Sequence, residues 1–222
     1  MEKRLLIFFL SINCFISNAQ EIAVTQKGDT IYVYNNGTWS FDLLEEAPPV
    51  FNELDYLNEE LKIDEIEGTF KYSDKVSKEV TNEMELFTIK YNPSVWKRIP
   101  PATVNDDAEF AFQNIDTDIW CIVISEETSI APDKLFKIAK KSMEDNIGSK
   151  TKVIKTESRN VNGHKVIRGA LLADVSGISF IFDSYYFSNE KGSVQFTVYT
   201  SDKLWKKNEQ DILEFLNGFI AN

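Results

Sequence analysis

Ile119-Trp120-Cys121-Ile122-Val123-Ile124 is an apolar run with no polar residue at either alternate set of positions. Six residues suit a strand and are too few for a buried helix. A strand with one wet face alternates apolar with polar, whereas a strand covered on both faces does not. The run therefore predicts a central strand with material packed on each side. Upstream, Phe87, Ile89 and Tyr91 alternate with Thr88 and Lys90 before Asn92-Pro93, and Ala108, Phe110 and Phe112 alternate with Glu109 and Gln113. Downstream come Val153 to Thr156, Lys165 to Ala173, Ile178 to Phe187 and Val194 to Thr200, with turns at Asn162-Gly163 and Glu190-Lys191-Gly192. Strands joined by short turns pair antiparallel.

Two helical patterns interrupt the strands. Pro132 suits a first turn and Asp133 the positive end of the helix dipole. Phe136, Ala139, Met143 and Ile147 then recur at helical spacing, and Gly148 is a stop. A second helix starts at Ser201 or Asp202 as a cap, with Trp205, Ile212, Leu216 and Phe219 as its buried stripe. One helix on each face supplies the two-sided cover that residues 119–124 require. The expected fold is α+β: an α/β/α sandwich around a mainly antiparallel sheet, with a small N-terminal β-meander.

The order of features carries a resemblance. Tyr91-Asn92-Pro93-Ser94-Val95-Trp96 ends a strand, two apolar strands follow, then the helix from Pro132, the meander with Val161-Asn162-Gly163, and a last helix running from Ile212-Leu213 to Phe219. This resembles the PsbP-like family, which includes the extrinsic photosystem II subunit, a nuclear Ran-binding relative and many bacterial envelope proteins. The resemblance spans about residues 68–222. It implies a non-catalytic domain that binds or stabilises partners, and it transfers no site residue.

The beginning of the chain reads as an address. In MEKRLLIFFLSINCFISNAQ, Lys3 and Arg4 precede a mostly apolar run from Leu5 to Ile16, and Ser17 and Ala19 provide the small residues of a cleavage site. Residues 1–19 are therefore expected to be a signal peptide, and the protein periplasmic or extracellular. The apolar run is short of the ~20 residues that span a bilayer, and no transmembrane segment is expected in the mature chain. Lipid anchoring at Cys14 is the weaker alternative, because Asn13 occupies a lipobox position that takes Gly, Ala or Ser.

Residues 20–42 then read as three short strands. Ile22 to Thr25 and Thr30 to Tyr34 flank Lys27-Gly28-Asp29, and Asn36-Gly37 precedes Thr38-Trp39-Ser40-Phe41. Asn-Gly suits a type I′ turn because both of its central residues take positive φ. This piece resembles the GD-T-I-x-x-x-x-DGTW segment found near the mature N-terminus of secreted Gram-negative proteins, with Asn36 in place of Asp. Residues 43–67 form an acidic linker broken by Pro48-Pro49, and Leu54, Leu57 and Leu61 outline a short helix.

Charge narrows function. Lys and Arg total 24 against 35 Asp and Glu, a net of -11. Most of the excess lies between Asp42 and Glu67, and residues 68–222 are close to neutral. A nucleic-acid partner is not expected from so acidic a chain. No cofactor and no metal is expected either: the chain has one His and two Cys, and no Gly-rich phosphate loop. Cys121 sits in an apolar strand, where a thiol is a small hydrophobe rather than a nucleophile. His164 follows the Asn162-Gly163 turn, far from Cys121.

Three readings of function remain open. The first is a non-catalytic interaction or assembly module of the cell envelope, with an envelope protein or a glycan as the partner. The second is a small-ligand or glycan-binding protein with a pocket between the sheet and a helix. The third is a hydrolase using a carboxylate pair: Asp106 with Asp107, Asp116 with Asp118, or Glu126 with Glu127. No catalytic residue is assigned. The candidate binding residues are aromatics taken as exposed: Trp39, Trp96, Tyr185 and Tyr186.

Overall fold

The structure, a computed structural model, describes residues 21–25, 27–36, 38–47 and 54–222. The expected signal peptide, Cys14, Gly37 and the Pro48-Pro49 break lie outside the described residues. Two compact units divide between Asp55 and Tyr56.

In the first unit, β1 (Glu21–Val24), β2 (Thr30–Val33) and β3 (Trp39–Ser40) pair antiparallel in that order. Gly28 takes φ +91° in the first turn, where its N–H reaches the Thr25 carbonyl at 2.9 Å. Tyr34 ties the tail back: its hydroxyl donates to the Asp42 carbonyl and accepts from the Leu44 N–H.

The second unit contains β4 (Asp64–Phe70), β5 (Lys78–Thr81), β6 (Phe87–Tyr91), β7 (Trp96–Ile99), β8 (Phe110–Asn114) and β9 (Trp120–Glu126). Then come α1 (Pro132–Ile147), β10 (Lys152–Val161), β11 (His164–Val175), β12 (Ile178–Asn189), β13 (Gly192–Ser201), α2 (Asp202–Leu216) and β14 (Phe219–Ala221). Eight strands form the main sheet in the order β4-β10-β11-β12-β13-β9-β8-β7. Every neighbouring pair is antiparallel except β4 with β10. The start of this unit differs from the expected boundary at residue 68, which falls inside β4. Three acidic residues in Asp64–Phe70 make the segment read as a linker, but an edge strand can carry them because it is wet along one side.

Each face has its own cover. On β11, Ile167 and Leu171 face α1 and pack with Leu135, Phe136 and Tyr186. On the other face Val198, Phe196 and Tyr185 join Trp205, Ile212, Phe215 and Leu216 of α2. That layer also contains a second sheet, β14-β6-β5, which the sequence reading did not separate from the first. The residue expected last on the α2 stripe, Phe219, instead opens β14. Gly218 makes the break: its carbonyl accepts the Lys90 N–H at 2.9 Å, and a Cβ there would lie 2.0 Å from the Lys90 carbonyl oxygen. Backbone so close to β6 cannot continue a helix.

The termini of α1 follow the sequence. Pro132 occupies the first turn and Gly148 closes the helix at φ +67°, its N–H on the Glu144 carbonyl. Ser201 is the cap residue of α2 but makes no side-chain capping bond. Inside α2, Asn208 leaves helical geometry at φ -118°, ψ 18°, and its side-chain amide donates to the Leu204 carbonyl at 2.7 Å. A side chain that takes over a backbone acceptor in this way bends a helix.

Candidate functional site: a groove beside α1

The strand at 120–126 explains where the concave surface lies. Cys121 and Val123 point toward α2 and are fully buried. Trp120, Ile122 and Ile124 point to the α1 face and are only half-buried. The helix packs chiefly on β11 and β12, less on β13. Its seat is set by Gly169, where a Cβ would lie 2.4 Å from the Phe136 ring. Phe136 therefore enters over β11 and stands edge-on to Tyr186, with centroids 5.6 Å apart. A groove of about 690 Å³ remains between α1 and the β13–β9 side of the sheet.

Its walls are Ile122, Ile124, Ile138, Met143 and Phe182, and its floor includes Gln195 and Thr197. Several of the floor's polar groups bond within the protein. Gln195 Nε2 donates to Thr197 Oγ1 at 3.1 Å, and that hydroxyl also bonds Ser184 at 2.8 Å. Ser193, at one end, donates to the Thr128 carbonyl at 2.7 Å. The charged residues lining the groove are two exposed acids, Asp107 and Glu126; no Lys, Arg or His lines it.

Three of the four candidate aromatics are corrected by their burial. Trp96 is 3% exposed and stacks on Phe215 at 3.9 Å between centroids. It lines a smaller cleft of about 260 Å³ beside the Asn208 bend, but presents little surface there. Tyr185 and Tyr186 are each 1% exposed. Burial pushes the Tyr185 hydroxyl up to about 12, and it donates to Asn217 Oδ1 at 2.7 Å. Burial likewise raises Tyr186, which packs under α1. The alternation along a strand separates its two faces but does not say which residues a helix will cover. Trp39 is 56% exposed, edge-on to Phe41 at 5.3 Å. The half-exposed Trp120 and Tyr199 lie on the α1 face.

The reactive candidates are not brought together. Cys121 is fully buried, and burial pushes its thiol well above the usual range. His164 is exposed at the start of β11, edge-on to Phe187. All six carboxylates of the three candidate pairs are exposed. Among the described residues no group of three or more His, Cys, Asp or Glu is placed to hold a metal ion.

Sequence reasoning missed a charged cluster under α2. Arg168 and Asp183 are both fully buried and lie diagonally on one face of the β11–β12 pair, Arg168 opposite Tyr185 and Asp183 opposite Ala170. Arg168 Nε donates to Asp183 Oδ1 at 2.8 Å and a terminal nitrogen to Oδ2 at 2.6 Å. Trp205 Nε1 donates to the same Oδ2 at 2.9 Å. Glu157 and Glu209 approach the guanidinium at 3.3 and 3.2 Å. Burial alone would lower the guanidinium's affinity for its proton, but Asp183, Glu157 and Glu209 together outweigh it and the net shift is upward. Arg159 and Lys155 pair with Glu157 and Glu209 in turn. Every member has a charged partner, so the cluster ties β10, β11, β12 and α2 together. The available signal was a charge at an inward position of each apolar strand: Arg168 between Val166 and Ala170, Asp183 between Ile181 and Tyr185.

No family model and no curated protein matches the chain. Solved structures do. The cyanobacterial PsbP (CyanoP) of Synechocystis is similar at 12% identity and a TM-score of 0.51, covering 68% of this chain and 95% of its own. The Ran-binding protein Mog1p of Saccharomyces cerevisiae is similar at 12% identity and a TM-score of 0.45, covering 65% and 94%. The likeness to the cyanobacterial protein shows the fold: a PsbP-like α+β domain, here with an apolar groove beside its first helix.

Proposed function

We propose that the protein is a non-catalytic binding module of the cell envelope, exported by the signal peptide at residues 1–19. The observation that carries this reading is the character of the groove beside α1. Its walls are mostly apolar, its floor Gln195 amide bonds the Thr197 hydroxyl, which also bonds Ser184, and neither His164 nor Cys121 lines it. A surface of this kind recognises shape and apolar area, and the ionisable groups on its lining are two exposed carboxylates, Asp107 and Glu126, rather than a buried base or a thiol. Export follows from the charged, apolar and small-residue order of the first twenty residues, and a small positive region before a short apolar run suits secretion better than anchoring.

The test is recovery of the tagged, full-length protein from its native envelope at native abundance. A reproducible partner is expected in the envelope fraction. Return of the monomer alone would remove an assembly role, and protein confined to the cytosol would overturn the reading as an envelope module. Of the other two readings, a small ligand is favoured over a carboxylate hydrolase, because the groove is apolar and the six candidate carboxylates are exposed.

A further inference from the structure

The apolarity of residues 119–124 exceeds what α1 covers. Ile122 and Ile124 face the helix side of the sheet but remain half-buried beside the groove. On a wet face those positions would be polar. We propose that this groove is the binding site of an uncharged apolar small molecule of lipid type, an assignment that rests on the binding-module reading above and names its ligand.

Three features select this class. The volume, about 690 Å³, lies within the ~300–1,000 Å³ of small-molecule sites. A glycan needs many donors and acceptors along its length; on the sheet side Gln195 Nε2, Thr197 and Ser193 are engaged, which leaves Ser142 and Asn146 of α1 as the polar side chains of an otherwise apolar wall. A fatty acid or phospholipid brings an anion. No Lys, Arg or His lines the groove to receive it, while Asp107 and Glu126 stand at its exposed edge and repel it. What remains is a molecule that gains by leaving water and carries no negative charge.

The test uses the full exported chain and N-phenyl-1-naphthylamine, an uncharged probe that fluoresces in apolar surroundings. Decanol and decanoate, matched in chain length, compete for it at neutral pH. Decanol is expected to displace the probe at least tenfold more tightly than decanoate. Met143→Trp fills the groove and should weaken probe binding at least tenfold. Asp107→Lys with Glu126→Lys alters only exposed side chains, so the fold is kept, and should bring decanoate to parity with decanol. Circular dichroism melts confirm that each variant is folded. If Met143→Trp fails to fold, the charge variant alone decides. Equal or tighter binding of decanoate to the unaltered protein overturns the proposal, as does probe binding that ignores both variants. An envelope partner recovered without any decanol binding removes the lipid assignment alone. Decanol held in the groove with no partner recovered removes the assembly role alone.

Discussion

Replacing Asp183 with Asn tests the buried cluster that joins α2 to the sheet. The carboxylate accepts three hydrogen bonds: two from Arg168 and one from Trp205 Nε1. Asn has nearly the same shape but only one oxygen. With that oxygen in place of Oδ2 it keeps two bonds and turns an N–H₂ toward the Arg168 Nε–H; flipped, it keeps one. In either orientation the guanidinium, fully buried, retains only Glu157 and Glu209 at 3.3 and 3.2 Å as charged partners. Removing one member of a buried ion pair costs about 3–5 kcal/mol. For a unit of this size ~1 kcal/mol moves the midpoint roughly 2–4 °C, so the melting temperature should fall by roughly 6–20 °C. Urea titration followed by circular dichroism should show a lower midpoint at an unchanged slope. The double variant Arg168→Met with Asp183→Leu removes both charges and should lose much less, because nothing charged is left unpartnered. A loss below about 1 kcal/mol for Asp183→Asn, or a double variant as weak as the single one, would refute the view that the unpaired guanidinium is the source of the cost.

Other outcomes follow from the site and its supports. Glu144, near the end of α1, accepts from Lys140, Lys150 and both the N–H and hydroxyl of Thr151. Burial pushes its carboxyl up, but the Lys140 and Thr151 bonds outweigh this and hold it at about 2, against an ordinary 4.5. Its contribution is therefore present above pH ~4.5 and is lost as pH falls toward ~2. Glu144→Gln should lower stability by roughly 2–3 kcal/mol at neutral pH and flatten this acid limb; an unchanged limb in urea melts between pH 2 and 5 would contradict it. Gly169→Ala places a methyl 2.4 Å from the Phe136 ring and should cost about 1–3 kcal/mol while displacing α1. The naphthylamine probe should report this as altered groove binding, and a neutral substitution would show that Phe136 has room to move.

Local patterns in the chain were enough to define the two helices, most strands and the antiparallel meander. Helix and strand periods differ, and Pro132, Gly148 and Asn162-Gly163 impose local geometry whatever surrounds them. The all-apolar run at 119–124 was also enough to require cover on both faces. Tertiary structure decided how complete that cover is. The position of α1 depends on the close approach of Phe136 to Gly169, a contact between residues 33 apart in the chain, and this leaves Ile122 and Ile124 beside an open groove. The same limit hid Arg168 with Asp183, the burial of Trp96, Tyr185 and Tyr186, and the release of Phe219 from the last helix into β14. Alternation tells which residues share a face, because that is a property of one strand's backbone. What lies over a face depends on distant segments, and packing in three dimensions decides it.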